Sequence, residues 1–573
     1  RLVDVWPDNP IGHGAEDLKY RFQWNFPLFF SIHDPATLYA AANVLFRTTN
    51  GGQQWTPISP DLTRNDTTKM RSSGGPITKD NTGVEYYGTI FTAAESPLDA
   101  RILWTGSDDG LLFVTQDGGK NWRNVTPPAK LMPEWIQINS IEAHPRNPGG
   151  LYVAATMYKL DDFRPYLYKT TDFGVSWTKI SAGINDMDFT RVIRADPDRE
   201  GLLYAGTESG IYISFDDGAH WKPFQLNLPA VPITDLAVKN KDLVVATQGR
   251  SFWVLDDLSP LHQLSERIAR SPFWLYTPRA TYRTVGGHVE DSKTMGENPP
   301  NGALIQYYLA KAPDSSSVAL RILQGDGTVI RTYSGKAEKK EEQIPLRRGM
   351  NRFVWNLQYS PPDTFSGMIM WGGWTDGPVA VPGTYRARLI VGKDSTTVEF
   401  TVLKDPRSSS SLADLQAQFD FLEKTRKKID ETHRAIRTIR DVRSQLNQLT
   451  DRLREENGTD SLRAVAKHLS DRLTDVEEHL YQTKNQSPQD PLNFPIRLNN
   501  KISEVASSVA FGDYRPTQSA LAVRDELSGQ IDRQLALLRE LLEKEVPSLN
   551  RLVRESQVPA VIVKSRANEK VGQ

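Results

Sequence analysis

The sequence predicts a mainly β protein: a β-propeller of about five blades, then an immunoglobulin- or fibronectin-like β-sandwich, then an α-helical bundle. Three observations predict it. The turn pattern S/T-x-D/N-x-G-x-x-W occurs four times in the first part of the chain. Alternating strand-like runs separated by Gly and Pro turns fill the middle. Leucines and isoleucines at near-heptad spacing fill the last part.

The four turns begin at Thr48, Thr115, Thr170 and Ser214 and end at Trp55, Trp122, Trp177 and Trp221. Their acidic or amide positions are Asn50, Asp117, Asp172 and Asp216. Such a side chain accepts bonds from backbone N–H groups ahead of it and folds the turn on itself. Glycine supplies a positive φ, and the tryptophan packs over the turn against the next blade. Before each turn lies another strand signal, as in His33-Asp34-Pro35 followed by Leu38–Ala41, or His144-Pro145 followed by Leu151–Ala155. Each unit therefore reads as three strands, the box, and a fourth strand. These carboxylates are structural on that reading. A fifth unit, Ile233–Asp256, lacks the box.

Two insertions, Asp61–Glu85 and Met157–Tyr166, read as long loops. Arg1–Pro7 reads as the last strand of a preceding blade. Five blades do not close a ring of this type, and an open edge exposes unpaired backbone. The ring is therefore expected to be completed by missing N-terminal sequence or by another chain.

The propeller is assigned to 1–260 and the sandwich to 273–403. In the latter, Leu304–Leu309, Val318–Leu323, Asn351–Leu357, Gly383–Val391 and Thr396–Val402 read as strands. Trp371-Gly-Gly-Trp374 reads either as an exposed aromatic loop for ligand stacking or as a loop folded onto the sandwich. The bundle is assigned to 411–547, starting at a capping box at Ser411–Asp414. Its first helix ends at Asn457-Gly458, a third lies near Phe494–Val509, and a fourth stops at Pro547. Residues 548–573 form a tail. The bundle's Arg and Glu residues are solvated faces or a partner-docking coiled coil.

Composition sets limits. The chain has 573 residues and a formal net charge of −1, so no global basic field draws nucleic acid. It has no cysteine, which excludes disulfides and thiolate chemistry. No apolar run is long enough to span a membrane. No phosphate loop, dinucleotide fingerprint, zinc-protease or nucleophile-elbow motif is present, so no cofactor is expected.

The boxes resemble the BNR/Asp-box repeats of sialidases, xyloglucan-active glycosidases and the sortilin ectodomain. A nearer resemblance is to bacterial proteins named for a sortilin N-terminal domain or as "glycosyl hydrolase" BNR proteins. Trp6–Asp17, Tyr20–Pro27, Phe46–Asn65, Asp161–Tyr166, Thr247–Asp257 and Gly349–Asn356 carry it. The resemblance implies a propeller, a chain corresponding to the C-terminal portion of longer relatives, and a secreted, periplasmic or outer-surface location in a bacterium.

A propeller glycosidase needs two carboxylates facing a cleft. Asp108 with Asp109, Asp161 with Asp162, and Asp256 with Asp257 lie at strand ends and are the candidates, with turn capping as the competing role. A sialidase needs converging arginines, for which Arg47, Arg164, Arg191 and Arg250 are available. His13, Glu16 and Asp17 form the one His/carboxylate cluster, too weak to assign a metal. Binding candidates are Tyr20, Arg21, Trp24, Arg164, Tyr166, Arg250 and Trp253, because arginine beside aromatic rings suits sugars and peptides. The leading expectation is a binding or assembly protein for a peptide, protein or glycan. The alternative is a glycoside hydrolase.

Overall fold

A computed structural model describes residues 3–284, 296, 298–454 and 458–557. The chain forms two units, Arg1–His262 and Gln263–Gln573.

The first unit is a series of antiparallel sheets, each built from consecutive strands in chain order. The first sheet comprises Leu28–Phe30, Leu38–Ala41, Leu45–Thr48 and Thr56–Pro57. The second comprises Ile90–Ser96, Asp99–Ser107, Leu112–Thr115 and Arg123–Asn124. The third comprises Gln137–Ala143, Leu151–Met157, Asp162–Thr170 and Thr178–Lys179. The fourth comprises Thr190–Ala195, Leu203–Thr207, Ile211–Ser214 and Lys222–Pro223. The fifth has three strands, Ile233–Lys239, Asp242–Thr247 and Phe252–Leu255. Second strands such as Leu151–Met157 are buried on both faces, which explains their unbroken apolar sequence.

All four boxes lie between the third and fourth strands and share one hydrogen-bond pattern. The first hydroxyl donates to the Asn or Asp Oδ1, at 3.0, 2.9, 2.8 and 2.8 Å in turn. The same Oδ1 accepts the backbone N–H four residues on, at Gln54, Asn121, Ser176 and His220. The hydroxyl also accepts the N–H of Gly52, Gly119, Gly174 or Gly218. These glycines have positive φ, and a Cβ at Gly119, Gly174 or Gly218 would strike Ile58, Val125 or Ile180 of the preceding sheet. The motif therefore folds a turn and lets neighbouring sheets touch.

The tryptophans add the link between sheets. The indoles of Trp122, Trp177 and Trp221 donate to the carbonyls of Ile58, Val125 and Ile180. Each acceptor is the residue just after the last strand of the preceding sheet. Among the described residues, Trp55 Nε1 is buried with no hydrogen-bond partner, and Val3 packs against its box at Gly52.

Two segments of this unit differ from what their sequence predicts. Val3–Pro7 forms no strand, and Arg1 and Leu2 lie outside the described residues. Met157–Tyr166 is not a loop. Tyr158–Leu160 is a 3-10 turn, and Asp162 already begins the third strand, where it pairs with Met157. The polar residues there mark a hairpin end.

The second unit begins with two sheets around one core. One orders Phe273–Leu275, Ala303–Leu309 and Gly349–Trp355. The other orders Thr281–Arg283, Asp394–Lys404, Gly383–Val391, Val318–Gln324 and Val329–Ser334. Trp355, Tyr307, Leu320 and Leu389 are fully buried between them. Helices follow at Leu412–Leu453, Asp460–Leu480, Leu498–Ala510, Gln518–Glu540 and Val546–Glu555. The first is opened by the Ser411–Asp414 capping box and ends at Leu453, four residues before Asn457, which lies outside the described residues. Ile436, Ile439, Leu473, Leu480, Ile502 and Ile531 fill the helical core.

Pro547 does not stop the last helix. A π turn at Leu541–Glu545 precedes it, and Pro547 sits in the first turn of Val546–Glu555. Proline lacks only an N–H that a first turn leaves unbonded. Trp371 and Trp374 pack on the Leu498–Ala510 helix rather than back onto the sheets. Trp371 exchanges backbone bonds with the Asn500 side chain, and Ser503 Oγ donates to the Trp374 carbonyl. The part of the tail after 557 lies outside the described residues.

Candidate functional site

In an antiparallel meander, the starts of first strands and the second-to-third turns lie at one end of the sheet, opposite the boxes. A cavity of about 400 Å³ opens at that end between the second and third sheets. Tyr87 leads into the second sheet's first strand, and Asp108 follows its second strand. Trp135 and Gln137 open the third sheet, while Thr156 and Met157 end its second strand. Leu160 and the charged Lys69, Glu134 and Lys159 complete the lining.

The adjacent acids Asp108 and Asp109 build this cavity by facing different ways. Asp108 accepts from the Gly88 and Thr89 N–H groups, at 3.0 and 2.9 Å, and from Thr89 Oγ1 at 2.8 Å. Burial pushes its carboxyl up to about 7 against those donors. Asp109 accepts from Ser107 Oγ and the Arg64 N–H. Its own carbonyl takes Arg64 Nε at 2.7 Å. Burial raises Asp109 as well. The Arg64 guanidinium then lies 4.4 Å from the Trp135 ring centre, with Lys69 at 5.5 Å.

Trp135 has φ of 63°, a left-handed conformation costly for a bulky residue. Gly110 makes room for it: a Cβ there would lie 2.8 Å from the Ile136 carbonyl oxygen. Tyr87 is raised well above the ordinary phenol range, first by burial and then by Asp108 and Asp109.

The other candidates fall elsewhere. Asp161 caps the 3-10 turn at φ of 60°. Asp162 is held well below the carboxylate range by Arg164, at 2.7 Å, and also accepts from Tyr166. Asp162, Arg164 and Tyr166 thus form a local cluster, with Tyr166 buried. Asp256 and Asp257 end the fifth sheet, where Asp257 accepts from the Ser259 N–H.

Arg21 is taken up by the fold: it is buried, paired with Asp61 at 2.8 Å, and bonded to the Gly88 carbonyl. Tyr20 packs edge-on against Trp6 and Phe46, and exposed Trp24 donates to Glu85. Trp253 donates to the Arg250 carbonyl. Arg164 binds Asp162 and Arg191 binds Glu208, while Arg47 and Arg250 stand on the first and fifth sheets, so no shared carboxylate site gathers them. Of the sequence candidates only Asp108 lines the cavity.

His13 and Asp17 are exposed and 3.8 Å apart. Among the described residues, the one group of three metal-ligand side chains is Asp196, Asp198 and His262. Asp196 already accepts from the N–H groups of Asp198 and Arg199, from Tyr204 and from His262, so it works as a clasp. No helix among the described residues is long and apolar enough to cross a membrane.

No protein-family model matches this chain, and no curated protein does. Solved structures do. The chain is similar to YCF48 bound to D1 peptide, at 15% identity over 44% of this chain and 72% of that one, TM-score 0.27. It is similar to the GH74 enzyme of Niastella koreensis, at 13% identity over 68% and 55%, TM-score 0.32. It is also similar to the β-propeller domain of Myceliophteria thermophila Cps50 (Swd1), at 15% identity over 57% and 91%, TM-score 0.29. The chain spans about half the length of the GH74 enzymes it matches. These likenesses concern parts of the fold and say nothing of ligand or activity.

Proposed function

We propose that this chain is a binding or assembly protein of the BNR/Asp-box, sortilin N-terminal-domain-like kind, secreted, periplasmic or on the outer surface of a bacterium. It recognises a peptide, protein or glycan at the Trp135 cavity. The observation that carries this reading is a preformed, largely apolar cavity whose buried carboxylates are spent on holding its walls. A ligand meets an aromatic face, a phenol and two lysines. In the second unit, the two sheets form an immunoglobulin- or fibronectin-like sandwich, and this sandwich and the bundle dock partners. The unpartnered Trp55 indole supports completion of the blades by an N-terminal propeller segment or another subunit.

The test is a glycan array and a peptide library presented to the full chain, repeated with Trp135→Ala. Loss of an aromatic anchor worth ~2 kcal/mol lowers affinity on the order of thirtyfold. A ligand that binds Trp135→Ala equally well overturns the site.

One observation favours hydrolysis: Asp108, pushed up to about 7, shares the cavity with Glu134, as a general acid and its partner would. Turnover of an arrayed glycan that Asp108→Asn abolishes would establish that reading.

A further inference from the structure

The fifth sheet ends where each of the other four continues. Its strands register like those of the fourth: Leu243 pairs with Leu255 as Leu203 pairs with Ser214. Trp253 and Val254 therefore occupy the places of Tyr212 and Ile213, which pair outward with Pro223 and Lys222. No box follows. Asp257 N–H donates to Asp242 and Leu258 N–H to the Lys241 carbonyl, and the chain enters the helix Ser259–Gln263. Among the described residues, no strand pairs with the outer edge of Phe252–Leu255. Phe252 and Val254 are 77% and 52% exposed on it.

A second feature lies beside this edge. In three sheets the box indole lies over the preceding sheet and donates to the carbonyl after its last strand. The equivalent residue before the fifth sheet is Phe224, which follows Lys222–Pro223. At that place is a shallow open groove, lined by Ile211, Phe224, Leu226, Trp253 and Leu255. Among the described residues, an apolar groove and an unpaired strand edge thus stand together where the second, third and fourth sheets place a tryptophan and a fourth strand.

We propose that the fifth sheet is completed by an extended polypeptide segment from outside this sequence, bearing tryptophan directly before two strand residues. The other sheets define that occupant: Trp55-Thr56-Pro57, Trp122-Arg123-Asn124, Trp177-Thr178-Lys179 and Trp221-Lys222-Pro223 all have the form Trp-x-x. The indole lies in the groove and donates to the Phe224 carbonyl, and the two residues add to Trp253 and Val254 by backbone bonding. A strand edge left bare invites such pairing. The proposal rests on the propeller reading of the sheets and not on the Trp135 ligand.

The experiment uses the full chain and a synthetic peptide of its own residues 214–225, Ser-Phe-Asp-Asp-Gly-Ala-His-Trp-Lys-Pro-Phe-Gln. Backbone hydrogen exchange is read with saturating peptide. Exchange across Phe252–Leu255 slows about tenfold or more, the protection of a bound edge. The same peptide with alanine for tryptophan binds at least about tenfold more weakly, and Leu226→Glu in the chain has a similar effect. Leu226 is 65% exposed, so that variant folds. Trp135→Ala binds the peptide normally, which separates this surface from the cavity. Absent protection, protection indifferent to the tryptophan, or self-association of the chain through this edge would each overturn the proposal.

Discussion

The two units are stabilised over different distances along the chain. In the first, the interactions that shape each box turn run between residues a few positions apart, and the indole bond that joins one sheet to the next recurs at three of the four boxes. In the second, single long-range polar contacts do the joining. The buried Glu477 takes Arg440 and Arg443, at 2.6 Å each, from a different helix. Arg283 pairs with Asp513, 230 residues away, and bonds Gln418. The buried His433 ring meets the Asp363 carbonyl and Asn499. A repeat tolerates the loss of one copy locally, whereas a single long-range contact has no second copy.

The largest test of that difference is Trp221→Ala. Trp221 is buried, belongs to the core between the third and fourth sheets, and bonds the Ile180 carbonyl. Its truncation costs ~3–5 kcal/mol. If joining is copy by copy, exchange rises across the third and fourth sheets and much less in the second. Equal loss of protection throughout the first unit would break the contrast.

Next in size is Glu477→Ala. It leaves Arg440 and Arg443 without their shared acceptor, but both are about one-third exposed and turn to water. The cost is about 2 kcal/mol, below that of a fully buried pair. Protection should fall in both Leu412–Leu453 and Asp460–Leu480, measured by exchange of the two helices.

The two units also carry opposite pH slopes. Burial raises Asp108, so the folded state keeps a proton that the unfolded chain releases. Its contribution is present below about pH 4 and is lost as pH rises to about 7. Burial lowers His433, so the unfolded chain takes a proton the folded state refuses. That contribution is lost as pH falls below ~6.5. Exchange in Asp99–Ser107 should therefore quicken toward neutral pH and in Leu412–Leu453 toward acid, after correction for intrinsic rates. Asp108→Asn flattens the first slope and His433→Gln the second.

What was legible in the sequence follows the same division. The box is a local rule, so four turns, the strands beside them and the missing fifth copy could be read from the sequence. The capping box at Ser411 and the apolar spacing of the helices were legible for the same reason. The Trp135 cavity was not. Its walls come from the Asp61–Glu85 insertion and two successive sheets, and nothing near Trp135 signals that Arg64 and Gly110 hold it. Asp108 carried a signal, as a doubled acid at a strand end, but Asp161 and Asp162 carried the same signal and cap a hairpin. Arg21 beside aromatics looked like a binding residue because sequence cannot show that Asp61 and the Gly88 carbonyl consume it.

The smallest effect is the most specific. Trp→Phe keeps an aromatic ring and removes the N–H. At Trp221 this deletes a bond to Ile180 and leaves a buried carbonyl unpaired, a loss of ~1 kcal/mol. At Trp55 the N–H is buried with no acceptor among the described residues, so its removal relieves an unmet donor and is neutral or stabilising. Melting or denaturant curves of the two variants should therefore differ in sign or at least in size, although the motif is the same. If Trp55→Phe costs as much as Trp221→Phe, the first box has an acceptor in solution. The break in the repeat at the first sheet would then be closed by contacts in solution, and the indole would already be serving as a joint between sheets.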